Sequence, residues 1–239
     1  MDSLVLIKKS IIKEFEFNYE TCIISENKIM ELLGYDADTV PEPVLETIIF
    51  ILNEIPNKVI LQSGYKIFNP RKVKFSSDNF TIDNKTFNCG KIIYSSLKNS
   101  ETIAFLISSI GEEIENWAKQ FINNNEMLKG YLIDKVASEL VEQIADKTES
   151  LIENELGNIG LKATNRYSPG YCGWSVADQQ NLFSLIPERF CGVLLNDNSM
   201  MIPIKSVSAV IGVGKNVEKM NYECSICEID FCYKRERNA

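Results

Sequence analysis

Arg166, Ser168, Pro169, Gly170 and Tyr171, followed by Trp174, are the densest grouping of chemically capable residues in the chain. Arg166 carries a planar fork of donors that suits a carboxylate. Pro169 fixes its own φ and removes an N–H. Gly170 permits positive φ or the close approach of a ligand to the backbone. Tyr171 and Trp174 supply flat faces on which a cation or an aromatic ring can rest. Together they suit a zwitterionic small molecule that also bears a cation. The same residues suit a surface turn with Arg166 in an ordinary salt bridge, and residue types alone leave both readings open.

A second grouping is Cys224-x-x-Cys227-x-x-x-x-Cys232. Three thiols at this spacing suit zinc or an iron–sulfur cluster, with Cys172, Cys191 or another chain giving a fourth ligand. The competing reading is three reduced thiols on a terminal strand. Gly212-x-Gly214 lacks the third glycine and the helix of a dinucleotide fold, and reads as a strand end. The Lys234-Arg235-x-Arg237 tail reads as a solvated basic end. The chain has no histidine. That removes the Ser-His-Asp and Cys-His nucleophile systems and the imidazole-based zinc hydrolase sites.

The elements that must position these groups are those of a globular protein. The chain has 239 residues, 45% of them hydrophobic and 24% charged, enough for one large domain or two small ones. A net charge of −8 argues against an electrostatic grip on nucleic acid or anionic membrane. No run reaches the roughly 18 apolar residues of a membrane span, and the N-terminus does not read as a signal peptide. A cytoplasmic location is the expectation, and with it reduced cysteines; Cys22 and Cys89 read as small core residues.

Residues 4–12 predict a short helix or strand, and the alternation of Phe15, Phe17 and Tyr19 predicts a strand. Ser25 caps a helix from Glu26 to about Leu33, and Pro41 and Pro43 open another over 43–55. Residues 59–87 read as strands separated by Asp/Asn turns. Ile92, Ile93 and Leu97 suggest a short helix; Thr102 to Ile107 reads as a buried central strand, followed by a helix over 112–121. The longest helical signal runs over 126–156, with Glu142, Asp146, Lys147 and Glu149 on a face that reads most simply as solvated. A strand enters 166, a helix covers 178–186, and strands follow around 190–195, 200–204 and 206–213. Strands and helices do not alternate regularly. The expected class is therefore α+β, a mainly antiparallel twisted sheet flanked by helices. Residues 1–90 are expected to pack as a helical and strand region on a main domain of 91–239, the two forming one compact unit.

Arg166-x-x-Pro169-Gly170-Tyr171 resembles the S-adenosylmethionine-binding signature of the activation domain of cobalamin-dependent methionine synthase. The likeness continues through Asp178-Gln179 and Leu182-Phe183-Ser184-Leu185-Ile186. It resumes in Leu195-Asn196-Asp197-Asn198-Ser199-Met200-Met201, Pro203 and Ser206-Val207-Ser208. Residues 29–35 and the helix near 44–55 resemble small free-standing versions of that domain. The resemblance implies S-adenosylmethionine as ligand, with Arg166, Ser168, Pro169, Gly170 and Tyr171 as contacts and Glu142 as a carboxylate reaching it from the long helix. It implies reductive methylation of cobalamin carried by a partner, a methionine synthase or another corrinoid methyltransferase, with a flavodoxin-type reductant. The chain would then be an accessory component with no catalytic acid or base of its own. Two other readings stand beside it: a metal or iron–sulfur redox protein built on Cys224, Cys227 and Cys232, and a scaffold for the corrinoid partner that has lost the ligand.

Overall fold

The computed structural model describes residues 7, 9–22, 24–36 and 38–220. Its first strand, β1 (Ile11–Phe17), is followed by two helices, α1 (Glu26–Leu32) and α2 (Glu42–Glu54). Ser25 caps α1 as its type predicts, its hydroxyl accepting from Lys28 N at 3.2 Å. Strand β2 (Leu61–Ile67) leads to a small three-stranded sheet of β3 (Val73–Ser76), β4 (Asn79–Ile82) and β5 (Lys85–Phe87). Helix α3 (Gly90–Leu97), strand β6 (Thr102–Ser109), helix α4 (Glu113–Asn123) and the long helix α5 (Met127–Gly157) follow. Then come β7 (Lys162–Tyr167), α6 (Asp178–Phe183), the short β8 (Leu194–Leu195) and β9 (Met201–Ile202), and β10 (Ser206–Gly214).

The main sheet has the order β1-β2-β6-β10-β7 and every pairing in it is antiparallel. The α+β class expected from the sequence is the one observed. β6 lies at the centre, and all eight of its residues are buried. A strand covered on both faces reads as a continuous apolar run, and Thr102 to Ile107 is one. The sheet draws β1 and β2 from the first ninety residues and β6, β7 and β10 from the rest.

Each face of the sheet carries a core. On one side α5 packs across the strands, through Ala145, Ile152 and Leu156 against Tyr65, Leu106 and Ile211. The same helix continues into a cluster with α1, α2 and α4, where Leu132, Val136 and Leu140 meet Ile29, Ile48 and Trp117. On the other side α3, α6 and the small sheet cover Phe105, Ile107 and Val210. A buried chain of hydroxyls ties α5 to the strands: Thr148 Oγ1 donates to Ser63 Oγ at 2.7 Å, and Ser63 Oγ lies 2.6 Å from Ser108 Oγ.

Two expected elements differ. Of the strand expected around 190–195 only β8 (Leu194–Leu195) forms; Phe190–Gly192 make a tight helical turn with Arg189 and Cys191 at φ of 57° and 53°. The helix expected over 178–186 stops at Phe183. The turn at 190–192 presses on β2: a Cβ at Gly64 would stand 2.4 Å from Lys13 O and 2.8 Å from the Phe190 ring. Gly64→Ala should therefore lower stability by about 1–3 kcal/mol, the range for overpacking. A urea midpoint matching the wild type would show that the turn can yield.

Candidate functional site

Strand β7 brings Arg166 in from the sheet, opposite Ile211 of β10, and ends at Tyr167. The chain then turns tightly. Tyr171 N donates to Ser168 O at 3.2 Å, Trp174 N to Tyr171 O at 2.9 Å, and Gly170 N to Trp174 O at 2.8 Å. Gly170 sits at φ 99°, and its absent Cβ would meet only Val176 at 3.9 Å. Glycine is needed there for its backbone conformation rather than for space.

The turn forms one wall of a cleft of about 410 Å³, a size that suits a nucleoside-bearing ligand. Ser168, Pro169 and Tyr171 line that wall; Ser138, Val141 and Glu142 of α5 line a second; Ile204 to Ser208 line a third. Tyr171 is 52% exposed, so a bound molecule can reach its ring. Ser168, Pro169, Tyr171 and Glu142 are thus brought together as lining residues. Gly170 shapes the turn beside them.

Arg166 is placed behind this lining, 6% exposed. Its fork is engaged by three carboxylates of α5: Glu142 at 2.5 Å, Asp146 at 2.6 Å and Glu149 at 3.1 Å. Burial alone would lower its pKa, but Asp146, Glu142 and Glu149 outweigh burial and push it further above its ordinary value. The guanidinium is charged at neutral pH. Lys219 also reaches Glu149, at 2.6 Å, and pairs with Glu153. Two cations therefore face four carboxylates, and of the four Glu142 lines the cleft.

The solvated face expected on α5 is corrected here: Glu142 and Glu149 are turned to Arg166, because β7 packs against that helix. Trp174 is likewise no ligand platform. It is 2% exposed, edge-on to Phe80, and its Nε1 donates to Asp178 Oδ2 at 2.8 Å. Asp178 also accepts from Asn88 N at 3.1 Å, so it fastens the turn to the small sheet.

Sequence reasoning assigns no role to Ser138 or Lys205, which also line the cleft. Cys224, Cys227 and Cys232 lie outside the described residues. Cys191 is buried and its thiol is pushed up by burial, then by Glu14; Cys172 is half-buried. Burial also lifts the Cys89 thiol, to about 11. Among the described residues no group of three or more His, Cys, Asp or Glu is arranged to hold a metal, and no helix is long and apolar enough to cross a membrane.

The model of the family "Vitamin B12 dependent methionine synthase, activation domain" matches residues 92–234, which include every lining residue named above. The chain belongs to this family. Among solved structures, the chain is similar to a crystal structure of the MetH reactivation domain bound to AdoHcy. That match has a TM-score of 0.64 and 12% identity, over 88% of this chain and 80% of the other. At that identity the likeness is one of fold. No curated protein matches the chain.

Proposed function

We propose that the cleft beside the Arg166–Tyr171 turn binds S-adenosylmethionine, and that the chain presents this ligand to cobalamin held by a partner, so that the inactive corrinoid is restored by reductive methylation. The observation that carries this reading is Glu142, a carboxylate fixed by a buried arginine and lining the cleft of a protein of this family. The ligand is cationic at sulfur and zwitterionic at its amino-acid end. The cleft offers the Glu142 carboxylate, the exposed ring of Tyr171, and hydroxyls from Ser168, Ser206 and Ser208.

S-adenosylmethionine supplies the methyl group. The work of this chain is placement: Pro169 and Gly170 fix the wall, and Glu142 orients the amino-acid end. No general acid or base is asked of it, in keeping with a sequence without histidine. The partner is a cobalamin-dependent methionine synthase or another corrinoid methyltransferase, with the electron from a flavodoxin-type reductant. We further propose that the chain acts in the cytoplasm as a separate accessory protein. Residues 1–90 and 91–239 then form one unit, which is supported by the sheet they share.

Calorimetric titration of the full chain with S-adenosylmethionine tests the reading directly. Saturable binding at one site per chain is expected. Absence of heat at millimolar ligand would reject it. Addition of the loaded protein to an oxidised corrinoid methionine synthase and a reductant should then restore the methylcobalamin spectrum.

A further inference from the structure

We propose that Lys205 holds the carboxylate of the ligand's amino-acid end, opposite Glu142, which takes its ammonium. This rests on the S-adenosylmethionine reading above. Among the described residues lining the cleft, Lys205 is the one cation and Glu142 the one anion. The more obvious cation, Arg166, has its fork taken by Glu142, Asp146 and Glu149. A ligand carboxylate would have to displace one of these from a buried guanidinium.

Lys205 is held in place rather than waving in solvent. Its side chain is 15% exposed, its Nζ lies 2.7 Å from Asp134 Oδ1, and it donates to Ser138 Oγ at 2.8 Å. Its backbone N donates to Glu115 Oε1 at 3.0 Å, which pins the start of the segment leading into β10. An ammonium has three N–H donors. Two are used by these partners among the described residues, and one is left for a ligand oxygen. Asp134 is 57% exposed, and an ion pair to so exposed an acid is weak. Asp134 can therefore give up its share to water when a ligand arrives.

The spacing also fits. Ser138 and Glu142 are one helical turn apart, about 6 Å along α5. An amino-acid end carries its ammonium and carboxylate on a single carbon. With a hydrogen bond of about 2.9 Å on either side, it spans the gap between a lysine at the Ser138 level and Glu142. The cleft would thus select an intact amino-acid end.

The test compares S-adenosylmethionine with its decarboxylated form, which keeps the sulfonium, the ammonium and the adenosine. Both are titrated by calorimetry into the full-length wild type, Lys205→Met and Lys205→Arg. In Lys205→Met the affinity for S-adenosylmethionine should fall by about 10- to 100-fold, the loss of one charge-assisted hydrogen bond. The decarboxylated ligand should bind wild type and variant alike, which also shows that the variant is folded. Lys205→Arg should keep most of the affinity. If Lys205→Met weakens both ligands equally, or neither, the lysine's role is overturned while the ligand reading stands. If the wild type binds neither ligand, the ligand reading fails and this assignment fails with it.

Discussion

Arg166→Met should unfold at a temperature lower by about 6–12 °C and should lose measurable affinity for S-adenosylmethionine. Removing one partner from a buried ion pair costs about 3–5 kcal/mol, because the other charge is left without compensation. Here three carboxylates lose their common partner. Glu149 is the worst placed, with its side chain 10% exposed, although Lys219 still reaches it. Asp146, 59% exposed, turns to water at little cost. The net loss should lie near the lower end, about 3 kcal/mol, which for a chain of this length gives the stated shift at about 2–4 °C per kcal/mol. Affinity falls for a second reason: Glu142 loses the fork that aims it. A second variant separates the two effects. Adding Glu149→Gln to Arg166→Met should recover part of the stability by removing the most buried of the three charges that Arg166 had faced, and should recover no affinity, because Glu142 remains unheld. A single variant that melts with the wild type would show that the three acids do not depend on Arg166.

The parts of the fold that sequence made legible are those where one local pattern has one outcome. β6 is a run of eight residues with both faces buried, and its apolar text fits the middle of a covered sheet. α5 repeats its apolar residues at helical spacing over 31 residues, too long for chance. The Pro169-Gly170 bend was legible because each residue type restricts its own backbone. What could not be read was which faces meet. Glu142, Asp146 and Glu149 look like any solvated helix face until β7 sets a buried guanidinium against them. Trp174 looks like a ligand platform until Phe80 and Asp178 claim it. The turn at 190–192 depends on Arg189 and Cys191 in left-handed backbone, which neither residue type favours. Lys205 is one lysine among many in sequence, and only the closing of β10 on α5 makes it a cleft residue.

Glu142→Gln should keep its fold and bind S-adenosylmethionine about 10- to 100-fold more weakly, the value of one charge-assisted contact. The stability change is smaller than for Arg166→Met. Arg166 keeps Asp146 and Glu149, and the glutamine oxygen can still accept from the guanidinium. The choice of ligand then reports what Glu142 touches. S-adenosylhomocysteine has a neutral sulfur but the same ammonium. A carboxylate that reads the ammonium loses both ligands by the same factor in Glu142→Gln. A carboxylate that reads the sulfonium loses only S-adenosylmethionine. In the proposed arrangement Glu142, one turn from Ser138 and Lys205, meets the amino-acid end, so equal loss is the expected result. Methylthioadenosine, which has no amino-acid end, should bind wild type and variant alike. A selective loss of the charged-sulfur ligand would move Glu142 to the methyl group and leave the ammonium to another side chain.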